Sequence, residues 1–333
     1  MPGHLLRRML LPTLAMLGIA VCAISNGDAA AEAPAWPPKL VRIVVPFGAG
    51  STPDIVGRIL ADSLQARHPG SSFVVENKPG AAGNLGTDAV AKAAPDGATL
   101  GISIPGPLVI NQMVFAKLPY DPERDIAPVT MLTRLPNVLV VPSSLGAGNV
   151  AEFVARLKTP GSNLAYASIG AGSLSQLCME AIAQQAGAKL VHIPYAGSPN
   201  AVTALIRGDV QAACLPAIAV TPQLASGTMK ILAVSTPQRS PFLPDVPTLK
   251  ESGIDVQSDA WNALIAPRGT PPALVEAINA EVRTSLGEPG MVEKLKVQMI
   301  APAPSSPEDL RKTLSDEKVL WSDVIRAAGI RIE

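Results

Sequence analysis

The sequence predicts an α/β fold of two similar lobes, each a mostly parallel sheet flanked by helices. Three observations carry that expectation. From Trp36 onward, short apolar runs alternate with stretches of helical length, the pattern of right-handed βαβ units. A strand, a glycine turn and a capped helix occur at Val41 to Ile55 (VRIVVPFGAGSTPDI), and again at Tyr166 to Gln176 (YASIGAGSLSQ). The length, 333 residues, favours two domains over one.

In order, Val41 to Val45 reads as a buried strand, because its apolar run is nearly continuous. Gly48-Ala49-Gly50 turns the chain, and Ser51-Thr52-Pro53-Asp54 opens a helix to Arg67 with hydroxyl caps, an early proline and a carboxylate. Ile55, Ile59, Leu60 and Leu64 are expected on its buried face. Phe73 to Val75 is the next strand, followed by a turn at Gly80 to Asn84 and a helix at Leu85 to Ala94. Thr99 to Ile104 is a strand, Gly106 to Phe115 a short helix, and Leu118 to Pro128 an irregular loop. Val138 to Val141 begins a second set. It continues as a helix at Val150 to Leu157, a strand at Leu164 to Ala167 and a helix at Ser173 to Ala186. Then come Leu190 to Ile193, the loop Pro194 to Pro199, a helix at Asn200 to Arg207, and strands at Val210 to Leu215 and Ile231 to Ser235. Ala260 to Ala266 is apolar, and two helices capped at Thr270-Pro271 and Ser306-Pro307 follow.

Met1 to Ala31 has a basic start at His4, Arg7 and Arg8, an apolar run and small residues at Ala29-Ala30-Ala31. It reads as a signal peptide cleaved near Ala31, hence an exported, periplasmic protein. The chain carries 27 basic and 27 acidic residues, so no charge excess points to nucleic acid or an anionic membrane. Cys178 and Cys214 remain after the leader. An oxidising compartment would allow them to pair, and two buried free thiols are the favoured expectation.

Several chemistries fail on their residues. Gly48-Ala49-Gly50 with Glu76 is a partial dinucleotide fingerprint, but Pro53 stands where its third glycine belongs. A nucleophile elbow needs Gly-x-Ser-x-Gly, and Ala49 and Tyr166 occupy the flanks of Ser51 and Ser168. His192 lies in an apolar strand and reads as a core imidazole. No cluster has metal-ligand spacing. Neither catalysis, a cofactor nor a metal is expected. Binding remains: both glycine turns fall at carboxyl ends of strands, where helix N-termini offer N–H donors to an anion.

The segments PFGAGSTPD, VVENKPGAAGNLG, AKAAPDGATL, KLPYDPERDIAPV, HIPYAGS, SPFLPDVPTLKESG and WSDVIRAAGI resemble the extracytoplasmic solute receptors of tripartite tricarboxylate transporters, the Bug proteins. The resemblance spans Trp36 to Ile332. It implies a monomeric, two-lobed flytrap of the type II-like periplasmic binding class, with the chain crossing twice between lobes. Residues 36–137 and 257–333 would form lobe 1, and 138–256 lobe 2. It further implies capture of a small carboxylic acid for integral membrane transporter subunits. A sensory protein that signals to a receptor kinase is the alternative.

By the same resemblance the ligand-binding residues would be Phe47, Gly50, Ser51, Thr52 and Asp54 in the first turn, with Gly83 and Asn84 beside it. The second lobe would add Ser168, Gly170, Gly172, Ser173, Gln176, Tyr195, Gly197 and Ser198. Asp54 would repel a carboxylate and is read first as a helix cap. The sequence departs from the family pattern in three places. Its first turn has Gly50-Ser51-Thr52-Pro53-Asp54 for the usual Gly-Gly-Gly-Thr-Asp. Ala171 and Gln176 replace Asn and His. Leu215-Pro216 replaces Asp-Asn, and with Phe47 is expected to line an apolar middle of the cleft.

Overall fold

The computed structural model describes residues 36–332, so the leader expected at Met1 to Ala31 lies outside the described residues. The chain runs β1 (Leu40–Val45), α1 (Thr52–Arg67), β2 (Ser72–Asn77), α2 (Asn84–Ala91), β3 (Thr99–Ser103), α3 (Asn111–Val114) and β4 (Ile126–Leu135). It continues β5 (Asn137–Pro142), α4 (Val150–Leu157), β6 (Ala165–Ser168), α5 (Leu174–Ala186), β7 (Val191–Pro194), α6 (Ser198–Arg207), β8 (Ala212–Pro216), α7 (Ala217–Leu224) and β9 (Met229–Val234). The return is β10 (Ala260–Pro267), α8 (Pro272–Leu286), α9 (Pro289–Val297), β11 (Ala301–Pro302) and α10 (Pro307–Ala328).

Two sheets result. The first has the order β11-β4-β10-β3-β1-β2, and the second β7-β6-β8-β5-β9. Each is parallel where βα units build it: β1 beside β2 and β3, and β6 beside β7 and β8. Each is antiparallel around the crossings, so the sheets are mixed where mostly parallel ones were expected. The reason is connectivity: a strand that leaves for the other sheet must be matched by one that returns.

The largest departure from the sequence reading is β4. Ile126, Ala127 and Pro128, expected in a loop, begin a ten-residue strand that is buried almost throughout. Pro128 lacks an N–H and lies opposite Ile265 at a register shift, where the ladder tolerates the loss. On α1 the buried side is Val56, Gly57, Leu60, Ala61 and Leu64, with Ile55 and Ile59 only half-buried. Gly57 lies against Ile102 and Val45, where a Cβ would stand at ordinary contact distance, 3.4 Å. Pro222 masks α7 in the sequence, and the Pro289-Gly290 pair that opens α9 reads as a turn.

Cys178 and Cys214 are fully buried and joined as a disulfide between α5 and β8, which corrects the expectation of free thiols. Their spacing along the chain carries no signal; packing α5 on β8 brings the Cα atoms within 6.2 Å, inside the range for a bridge.

One apolar core contains Val44 and Val109 of the first half, Leu139 and Leu177 of the second, and Leu310, Trp321 and Ile325 of α10. Helix α10 packs against both β4 and α5, and so straddles the two sheets. The crossings are tied to each other. Asn137 Nδ2 donates to Ser258 O at 2.8 Å, Ser258 N donates to Ser235 O at 2.9 Å, and Arg134 pairs with Asp259.

Candidate functional site

Strand directions locate the two glycine turns. β4 is antiparallel to β10, and β10 to β3, so β4 points the same way as β3 and β1. Its end, Leu135, passes through Pro136 into Asn137 at the start of β5. Asn137 lies opposite Pro216 at the end of β8, which runs parallel to β6. The turns after β1 and β6 therefore sit on the two sheet ends that the crossing joins. Val114 of α3 closes the geometry: a Cβ on Gly172 would come within 3.0 Å of Val114 and of Ile332.

The turns share two bonds. Ser51 N donates to Gly48 O at 3.2 Å, and Ser173 N donates to Gly170 O at 3.2 Å. Gly50 N donates to Asp54 Oδ2 at 2.8 Å, and Gly172 N donates to Gln176 Oε1 at 2.8 Å. Gly50 and Gly172 have φ of 78° and 74°, a region that L side chains rarely enter. The last bond is also found at an exposed helix, where Gly148 N donates to Glu152 Oε2 at 2.6 Å. It is a way of entering a helix, and by itself it marks no ligand.

This wiring redistributes the donors. The Gly50 and Gly172 amides are consumed inside the turns. None of the described residues accepts from the N–H of Thr52 or Asp54 in α1, or from Ala171, Leu174 and Ser175 in the second turn. Ser51, the N-cap of α1, makes no side-chain cap bond, and its hydroxyl has no partner among the described residues. Ser173 does cap α5, accepting from Gln176 N at 3.4 Å.

Asp54 is buried and its carboxylate is fully engaged. It accepts from Gly50 N, from Asn77 Nδ2 at 2.9 Å, and from Arg58 Nε at 3.1 Å, with Arg58 Nη2 2.9 Å from its other oxygen. Burial alone would push this carboxyl up. The hydrogen bonds from Arg58, Gly50 and Asn77, with the Arg58 charge, hold it below its ordinary range. Asn77 Nδ2 also donates to Phe47 O at 2.9 Å, which fixes the start of the turn. The Phe47 ring and Pro107 pack on Gly83, whose φ of 89° and lack of a Cβ permit the approach. Asn84 is buried, and its Oδ1 accepts from Asn111 Nδ2 at 2.6 Å, so its side chain holds the lobe together.

In the second lobe Tyr195 N donates to Ser168 O at 3.0 Å, and Gly197 N to Tyr195 O at 2.9 Å, which lays this loop beside the β6 turn. Ser198 begins α6. Leu215 is fully buried in the lobe core, so it does not line the cleft as expected. Arg58, Asn77, Asn111 and His192 were not among the expected site residues. Arg58 was legible as the i+4 partner of Asp54. The others are brought in only by sheet register and helix packing.

A cavity of about 630 Å³ lies along the crossings, lined by Pro136, Leu174, Ser258, Asp259, Glu317 and Trp321. Glu317 accepts from Trp261 Nε1 at 2.5 Å. Burial, with a smaller contribution from the Asp259 charge, pushes its carboxyl up to about 7 against the opposing effects of Trp261, Arg134 and Trp321.

Residues 56–330 match the family model described as the tripartite tricarboxylate transporter family receptor. The chain belongs to that family. The receptor is similar to Protein BugT of Bordetella pertussis, at 33% identity over 322 residues, covering 96% of this chain and 98% of BugT. Among solved structures it resembles R. palustris Rpa4515 with adipate, at 34% identity and a TM-score of 0.82, covering 89% of this chain and 99% of that one. The periplasmic binding protein BugD is similar at 29% identity and a TM-score of 0.78, covering 90% of this chain and all of that one. The family is one of receptors, which is not an enzyme class. Among the described residues, no helix is long and apolar enough to cross a membrane.

Proposed function

We propose that this receptor captures a small mono- or dicarboxylate between its two glycine turns and presents it to integral membrane transporter subunits. The observation that carries the reading is the matched pair of helix entries on the joined sheet ends, each with backbone N–H groups lacking an acceptor among the described residues. Such donors suit a carboxylate at each end of a short molecule. The Rpa4515 structure with adipate supports the same ligand class. The reading includes export after cleavage near Ala31, action as a monomer and no role for nucleic acid.

The site favours acids over amino acids. An ammonium in a desolvated site needs a carboxylate or several acceptors. Asp54 is already committed to Arg58, Asn77 and Gly50. Glu180 is committed to Tyr166, whose hydroxyl donates to it at 2.5 Å. Calorimetry against adipate, succinate, malate, benzoate, aspartate and glutamate tests the preference. Micromolar or tighter binding is expected among the acids alone. Tight binding of aspartate or glutamate with none of the acids would overturn it.

A further inference from the structure

His192 is left unused by the donor set above, and its surroundings are unusual for a core imidazole. It lies opposite Tyr166 in the β6–β7 register and stacks on that ring with centroids 5.0 Å apart. Its Nε2 is 2.7 Å from Ser168 Oγ, at the last residue of β6 before the second turn.

The hydrogen-bond arithmetic at Ser168 assigns the roles. A serine hydroxyl has one proton and two lone pairs. Ser168 Oγ donates to Gly170 O at 2.9 Å and accepts from Gly170 N at 3.2 Å. With its proton spent on that carbonyl, the short contact to His192 is favourable when Nε2 carries the hydrogen. Burial lowers the pKa of His192, which favours the neutral ring and makes its tautomer matter. Ser168 is then saturated and has nothing left for a ligand. What it fixes is Gly170, held by both its N–H and its C=O.

Gly170 has φ of 141°, and among the described residues, its chain neighbours aside, no atom lies within 4 Å of where its Cβ would stand. Packing around a side chain therefore does not fix this position. Its carbonyl also accepts from Ser173 N, the cap of α5. The direction of the following Ala171 amide, and the pitch at which α5 presents its first N–H groups, therefore depend on how Gly170 is held.

We propose that His192 is a positioning residue of the receptor: through Nε2–H it orients Ser168, and through Ser168 it sets the Gly170 peptide that aims the second-lobe donors at a carboxylate. The consequence for affinity rests on the ligand class proposed above, whereas the consequence for the turn does not.

The test uses the full exported protein and four variants: His192→Ala, His192→Gln, Ser168→Ala and the His192→Ala/Ser168→Ala pair. Gln can place an amide N–H near the position of Nε2. Amide hydrogen exchange at Gly170 and Ser173 is read without ligand, adipate affinity by calorimetry, and melting temperature beside both. His192→Ala should speed exchange and weaken adipate by about three- to tenfold, the worth of one hydrogen bond between neutral groups. His192→Gln should recover most of both losses. Ser168→Ala, which also removes both bonds to Gly170, should lose at least as much as His192→Ala, and the pair should be no worse than Ser168→Ala alone, because His192 acts only through Ser168. A lower melting temperature with unchanged exchange and affinity would reduce His192 to packing and overturn the proposal, as would additive losses in the pair. If His192→Ala does not fold, the exchange and affinity of Ser168→Ala and His192→Gln decide the matter. If the native protein binds no adipate, the ligand class is what fails, and the exchange data still decide the role of His192.

Discussion

At the scale of single residues, the described part of the chain withdraws few carboxyl groups from water, and it wires them unequally. Asp54 shows the favourable case, with donors on both oxygens and a cation alongside. Glu317 is the opposite, since it has one strong donor and an oxygen without a partner beside a cavity. A carboxyl raised on folding is protonated in the native state at pH values where the unfolded chain has released its proton. Native protein then binds more protons than unfolded, so stability falls as pH rises between the ordinary Glu value and about 7. Glu317→Gln should escape that loss. Melting measured from pH 4 to 8 should show the variant gaining on the native protein through this window, reaching at most about 3 kcal/mol above it. A difference that does not vary with pH would mean that Glu317 is already relieved by water or a partner.

At the scale of elements, the sequence reading failed where a signal was diluted. The β4 strand carries Pro128 and Arg134 within ten residues, so neither alternation nor a continuous apolar run stands out. The repeated turns were legible because glycine, hydroxyl and N3 acceptor must follow one another at fixed spacing to enter a helix. Their hydrogen-bond partners were not legible, because which acceptor captures the Gly50 amide depends on Asp54 being pinned by Asn77, 23 residues away. The disulfide belongs to this scale. It joins α5 to β8 across 36 positions, and closing a loop of that length restricts the unfolded chain. Cys178→Ala/Cys214→Ala should lower stability by about 3–4 kcal/mol in denaturant titrations. Native stability unchanged by the double substitution would mean that packing alone holds α5 on β8. Because Ser175 Oγ also donates to Cys214 O at 2.5 Å, the start of α5 should loosen as well.

At the scale of the whole molecule, the two sheets share one apolar core through α10 while the polar turns lie at the joined sheet ends. If a ligand touches both turns, as proposed, it should draw the lobes together about the Pro136 and Gln257–Asp259 crossings. Small-angle scattering should therefore give a smaller radius of gyration at saturating adipate than without it. An unchanged radius at saturation would mean that one turn suffices, or that the lobes are already set.

What the sequence by itself determined is local: the alternation that makes an α/β fold, the two glycine turns, the capped helices and the motifs of a receptor family. Each depends on residues within one or two turns of each other, whose backbone angles and unpaired amides leave few alternatives. What only the tertiary structure decided is which partner each polar group takes. Cys178 meets Cys214, His192 meets Ser168, and Asn84 meets Asn111, because strand order and helix packing bring them together. A hydrogen bond or disulfide is directional and reaches only a few ångströms, so chain spacing cannot predict it. Register and packing can.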